Sequence, residues 1–187
     1  MDRDAKIVIA GEGGQGVQTI AMILSEAAYE EGYDALYIPN FGVEQRGGVS
    51  VAYIQISNEP IGSPKFKDAD VAVALSKRSI WRISKYCCKE TVFLYEGEIT
   101  GVDGQFPKDC KEIIKVPAIK IAKDEFHPKV FNVIILGVII GITNVVSIDT
   151  VKGIIEAQLG YKFEKNPELR DMNYKALEKG VELALNR

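Results

Sequence analysis

The chain has 187 residues and a formal net charge of −3, a length suited to one domain over residues 1–187 with a substantial core. Mild acidity and the lack of a long single-sign run exclude an obvious nucleic-acid surface and a membrane-binding patch. Hydrophobic residues at 47% and charged residues at 26% give ordinary globular composition, so a soluble domain is expected.

Residues Met1 to Lys6 lead straight into a strand pattern, with no signal-peptide core. The most apolar stretch, Val130 to Val146, contains Asn132, Gly137, Gly141 and Asn144. Its length is at the lower edge for a membrane span, and a buried helix accounts for it better. The cysteines are Cys87, Cys88 and Cys110. An odd count with two adjacent is a poor disulfide framework and fits a reducing cytoplasm. No Cys-x-x-Cys spacing is present for zinc or an iron–sulfur cluster. The single histidine, His127, precedes Pro128 and reads as a solvated loop residue.

In chain order, Lys6 to Ala10 is an apolar run ending in Gly11, a buried strand. Val17 to Glu31 carries apolar residues at helical spacing and stops at Gly32. Ala35 to Ile38 is the next strand, completing a βαβ unit expected to be parallel and right-handed. Val49 to Ser57 alternates as a strand, with a turn at Asn58-Glu59-Pro60. Asp70 to Leu75, Thr91 to Tyr95 and Ile113 to Val116 are further strands, with a helix from Ser76 to about Tyr86. Helices are expected over Ala118 to Asp124, Lys129 to about Val145, Asp149 to Leu159 and Pro167 to Leu185. The fold class is therefore α/β, a single three-layer α/β/α domain on a mostly parallel mixed sheet.

The turn Gly11-Glu12-Gly13-Gly14-Gln15-Gly16 lies between the first strand and the first helix. Glycines there permit positive φ and close ligand approach, and the helix start offers unpaired amides to an anion. The spacing also matches a dinucleotide fingerprint, which expects an acid at the end of the second strand. That strand ends Tyr37-Ile38-Pro39-Asn40-Phe41, and Asp34 comes before it, so an autonomous NAD- or nucleotide-binding protein is the weaker reading. A tight turn serving only helix–sheet packing is the structural alternative. A second motif, Pro39 to Gly48, places Glu44 and Arg46 among glycines. Arg46 suits a phosphate or carboxylate as a planar fork, or it pairs with Glu44 and fixes the loop.

Together these residues resemble the γ-subunit family of 2-oxoacid:ferredoxin oxidoreductases. Gly11 to Val17 is similar to that family's Gly-x-Gly-Gly-Gln-Gly-Val opening, and Pro39 to Gly48 to its second glycine motif, with Phe41 in place of the usual tyrosine. Pro60-Ile61-Gly62-Ser63-Pro64, Asn132 with Gly137, and Asn173 with Ala176 and Gly180 are similar to later family segments. The resemblance implies a multi-subunit, cytoplasmic enzyme of anaerobic metabolism. Such an enzyme converts a 2-oxoacid, coenzyme A and oxidised ferredoxin into acyl-CoA, carbon dioxide and reduced ferredoxin. It implies that thiamine diphosphate, magnesium and iron–sulfur clusters sit on partner subunits, with none held by this chain alone and coenzyme A as cosubstrate. The expected binding set is Gly11, Gly13, Gly14, Gln15, Gly16, Glu44, Arg46, Gly47 and Gly48, with no catalytic residue and no metal ligand. Ile38-Pro39 and Glu44 lean toward a 2-oxoglutarate or branched-chain 2-oxoacid type, while Gln45-Arg46-Gly47-Gly48 is also similar to the small subunit of indolepyruvate oxidoreductase.

Overall fold

The computed structural model describes residues 4–41 and 48–187. Its strands are β1 (Ala5–Glu12), β2 (Asp34–Asn40), β3 (Val49–Ser57), β4 (Val71–Ala74), β5 (Val92–Glu96) and β6 (Glu112–Val116). Its helices are α1 (Val17–Glu30), α2 (Lys77–Ile83), α3 (Ala118–Glu125), α4 (Phe131–Thr143), α5 (Ile148–Phe163) and α6 (Glu168–Leu185). Short 3₁₀ turns at Ser84–Tyr86 and Pro128–Val130 take up the expected end of α2 and the expected start of α4.

The six strands form one sheet in the order β2-β3-β1-β4-β5-β6. The neighbours from β1 through β4 and β5 to β6 are parallel, whereas β3 runs antiparallel to both β1 and β2. The expected mostly parallel mixed sheet is therefore present, with β3 as its reversed strand. The βαβ reading needs one correction: β1 and β2 point the same way, but β3 lies between them. The Val49–Ser57 run reaches that position through a connection too short for a parallel crossover, so it returns antiparallel.

Alternation along each strand sends side chains to opposite faces. Ile7 and Ile9 of β1 face a large core built from α1, α3, α4, α5 and α6. Val8 and Ala10 face a smaller one, where Ile80 and Ile83 of α2 meet Phe93 and Val102. The layers are thus three but unequal.

Helix α4 explains the long apolar stretch, for every residue from Val133 to Ile140 is buried. It crosses α6 with backbone against backbone. A Cβ on Gly137 would lie 2.1 Å from the Leu177 carbonyl oxygen, and one on Gly180 would lie 2.1 Å from that of Ile134. Only a residue without a side chain allows this approach. The helix ends where Asn144 turns left-handed at φ 49° and its N–H returns to the Ile140 carbonyl. Across the outer layer, Arg170 holds Glu156 with two hydrogen bonds, and the Tyr174 hydroxyl donates to the same carboxylate. Among the described residues, no helix is long and apolar enough to cross a membrane.

Candidate functional site

The parallel neighbours β1 and β4 send their following helices to opposite faces of the sheet. From β1 the chain passes through the glycine turn to α1 on the thick face, and from β4 it passes to α2 on the thin face. Divergence of this kind opens a crevice beyond the carboxyl ends of the two strands, the usual ligand position in open α/β sheets. The glycine turn forms one wall and Leu75 to Lys77 forms the other.

Each glycine of the turn has its own reason. A Cβ on Gly11 would lie 2.7 Å from Val17 Cγ2 and 3.2 Å from Leu75 Cβ, so this position is set by packing. Gly14 and Gly16 adopt φ of 90° and 76°, which disfavour a side chain, and Gly13 and Gly14 have open space beside them. Gly16 caps α1 without any side-chain hydrogen bond, so the first-turn amides keep their capacity for an acceptor. At Gly16 a Cβ would sit 2.5 Å from Asn132 Nδ2. The first turn of α4 is therefore seated directly against the glycine turn.

Gln15 does something the sequence did not reveal. Its Nε2 donates to the Leu75 carbonyl at 2.8 Å, and its Oε1 accepts from the Glu12 N–H at 2.6 Å. Both ends of the amide are engaged within the chain, tying the two walls of the crevice together. Gln18, one turn into α1, donates to Ser50 Oγ at 2.6 Å and accepts from the Tyr37 hydroxyl at 2.5 Å. That linkage fixes α1 over β2 and β3, and partial burial pushes the Tyr37 phenol upward.

The described ends of the second glycine motif reach the same edge. Glu12 pairs with Val49 and Asn40 with Val51, so Phe41 and Gly48 flank the glycine turn in the sheet register. Phe41 is exposed. Glu44, Arg46 and Gly47 lie outside the described residues. Asp34 begins β2 at the far end from the turn, and its carboxylate accepts from the Ile61 N–H at 2.6 Å. The dinucleotide fingerprint's second strand, parallel and beside β1, is also missing among the described residues, because antiparallel β3 occupies that position.

At the same strand edge, Glu96 is a buried carboxylate, accepting from the Ile119 N–H at 3.0 Å and the Glu98 N–H at 2.7 Å. Burial raises its carboxyl above the ordinary range despite these donors. It joins the end of β5 to the first turn of α3, a structural assignment that periodicity alone could not supply.

Residues 6–183 match the family described as pyruvate ferredoxin/flavodoxin oxidoreductase. The chain belongs to this family. It is 32% identical over 181 residues to the ketoisovalerate oxidoreductase subunit VorA of Methanothermobacter thermautotrophicus, covering 97% of this chain and 36% of that protein. The chain thus spans about a third of the length of that curated relative. The keto/oxoacid ferredoxin oxidoreductase γ subunit of Geobacter sulfurreducens superposes with a TM-score of 0.80 at 25% identity. That match covers 98% of this chain and 99% of the Geobacter subunit. The 2-oxoglutarate:ferredoxin oxidoreductase of Magnetococcus marinus, solved with 2-oxoglutarate, coenzyme A and succinyl-CoA, shares the fold with a TM-score of 0.88 at 23% identity. Here 98% of this chain overlies 31% of the Magnetococcus chain.

In this member of the pyruvate ferredoxin/flavodoxin oxidoreductase family, the segment Pro60 to Ser63 lines a polar cavity of about 630 Å³ at the opposite edge, with Asp4, Lys6 and Asp70. It is not brought together with the glycine turn. The three cysteines are free thiols. Cys87 Sγ contacts the Ile83 carbonyl at 4.0 Å, burial pushes the Cys87 and Cys110 thiols upward, and Thr91 Oγ1 contacts Cys88 Sγ at 3.5 Å. Among the described residues, no group of three or more His, Cys, Asp or Glu is placed to hold a metal ion. Cys87 and Cys110 pack against the smaller core. His127 is exposed and accepts from the Lys129 N–H at 3.1 Å, closing a short turn.

Proposed function

We propose that this chain is the γ-type subunit of a multi-subunit 2-oxoacid:ferredoxin oxidoreductase, acting on 2-oxoglutarate or a related 2-oxoacid. Its partners would carry thiamine diphosphate, magnesium and iron–sulfur clusters, and ferredoxin would accept the electrons. Within that assembly the chain supplies binding and orientation rather than redox chemistry. The glycine turn and the Glu44–Arg46 loop line the approach of coenzyme A.

The crevice between β1 and β4 carries this reading. Its open side presents Gly13 and Gly14 without side chains, and α1 begins there at Gly16 with no side chain capping its first-turn amides. Phosphate groups are favoured in such a setting, since donors and the helix dipole act together. Arg46, in the loop leading to Gly48, would add a charge-assisted bond worth about 1.5–3 kcal/mol. Coenzyme A offers a pyrophosphate and a further phosphate to these groups. The 2-oxoglutarate lean rests on Ile38-Pro39 and Glu44.

The test is anaerobic purification of the tagged chain from its host, with coenzyme A-dependent reduction of a viologen dye by a panel of 2-oxoacids. Arg46→Ala and Gly14→Ala are expected to raise the apparent KM for coenzyme A about tenfold or more, leaving assembly intact. An unchanged KM would remove the coenzyme A assignment. A lone chain carrying bound nucleotide would favour an autonomous binding protein instead.

A further inference from the structure

The outer surface of the thin face is dominated by α2 and the 3₁₀ turn after it. In the middle of α2 stands Trp81, the only tryptophan of the chain, 85% exposed. No other large hydrophobic among the described residues is as exposed. An indole can bury roughly 150–250 Å², and here nearly all of that area faces water. Below it, Ile80 and Ile83 are fully buried against the sheet, so the helix cannot roll to hide the ring.

The surroundings are cationic. Lys77, Arg78, Arg82, Lys85 and Lys89 are all exposed, and Ser76 to Lys89 contains no aspartate or glutamate. This occurs in a chain with net charge −3. Lys77 already donates to the Gly101 carbonyl at 2.6 Å, and Arg78 is engaged within the chain. Lys85 stands over the Tyr86 ring, 5.1 Å from its centroid, and Arg82, Lys85 and Lys89 present their charges for recognition. An aromatic anchor rimmed by arginine is the composition of a protein–protein hot spot.

We infer that the outer face of α2 docks a second, different polypeptide, through an apolar pocket on the partner rimmed by carboxylates. This rests on the subunit reading above. Charge supports the choice of occupant: five exposed cations with no acid among residues 76 to 89 are complemented by a carboxylate-bearing partner. A second copy of this chain is disfavoured by symmetry, because a two-fold contact would press the same cationic patch against itself. A nucleic acid is disfavoured by the acidity of the whole chain.

The experiment compares the isolated chain with the complex purified from the host. Hydroxyl-radical oxidation of Trp81 is read by mass spectrometry, and carbodiimide coupling records lysine–carboxylate contacts. Trp81 is expected to oxidise at least tenfold more slowly in the complex, with Lys85 or Lys89 coupled to an aspartate or glutamate of a partner subunit. The double variant Arg82→Glu/Lys85→Glu should weaken assembly at least tenfold at low salt, with unchanged circular dichroism, and Trp81→Phe should weaken it less than Trp81→Ala. A complex in which Trp81 oxidises as fast as in the isolated chain overturns this inference and leaves the subunit reading standing. Failure of any partner to co-purify overturns both. Concentration-dependent protection of the isolated chain would assign the face to a second copy, and protection by a mixed-sequence oligonucleotide would assign it to nucleic acid; either result overturns the inference.

Discussion

The two faces of the sheet solve the same problem with unequal means. On the thick face, α1 lies on the strands, α4 is buried and crosses α6 with backbones in contact at Gly137 and Gly180, and α5 packs on α1 and α6. On the thin face, one seven-residue helix and the connections around it do the covering, with Phe66, Tyr53 and Tyr86 in edge-to-face contact filling the remainder. The Tyr53 and Tyr86 hydroxyls share a hydrogen bond of 2.9 Å, and burial pushes the Tyr53 phenol upward. The thick face has the geometry of a finished interior. The thin face keeps its tryptophan and its cations outside, as a surface that still has a neighbour to meet.

Substitutions that act on one face at a time test this contrast. The largest effect is expected at the helix crossing. Gly180→Ala places a Cβ 2.1 Å from a backbone carbonyl, so the helices must separate, at a cost of about 3 kcal/mol or more. A urea titration that gave a loss of stability under a third of that amount would show that the crossing is loose. On the thin face, Ile80→Ala removes a fully buried side chain and should cost about 2 kcal/mol, the low end for such truncations, because a single short helix can settle into the gap. A loss equal to that of a core isoleucine on α4, such as Ile134→Ala, would erase the distinction between the layers.

A smaller, pH-dependent effect is expected at Glu96. Its folded carboxyl titrates above the ordinary value because burial outweighs the N–H donors. A raised folded value means that its favourable contribution is fully present below the unfolded value and is lost as pH rises through the folded one. The stability of the wild type relative to Glu96→Gln should therefore fall from about pH 4 toward neutrality; a difference that grew with pH would reverse the assignment. The smallest effect is a gain. Gly153 lies in α5 with open space beside it, and Gly153→Ala should stabilise by about 0.5–1 kcal/mol in thermal melts.

Much of this architecture was readable from residue patterns. The alternation in Val49 to Ser57, the helical spacing after Val17 and the apolar Val130 to Val146 each located an element correctly, since local periodicity reports which faces are buried. What escaped was relational. The insertion of β3 between β1 and β2 is a pairing choice that no single run contains. Gln15 entered the expected binding set with the glycine turn, and that its amide reaches Leu75, sixty residues away, is visible only in the fold. Asn132 was visible only through family resemblance, and its seat against Gly16 depends on how α4 enters the fold. The cationic face of α2 was hidden because its charges alternate with Ile80, Trp81 and Ile83, leaving no continuous run to notice.

The order in which the chain supplies its layers has a consequence during synthesis. The sheet is complete at Val116, whereas α4, α5 and α6 span residues 131 to 185. A ribosome adding about 5–20 residues per second needs several seconds to deliver them. During that interval α1 already packs on β2 and β3, while the part of the thick face that α4, α5 and α6 cover is unfinished. The thick face can therefore finish closing only after residues 131 to 185 have been made, later than the sheet that it covers.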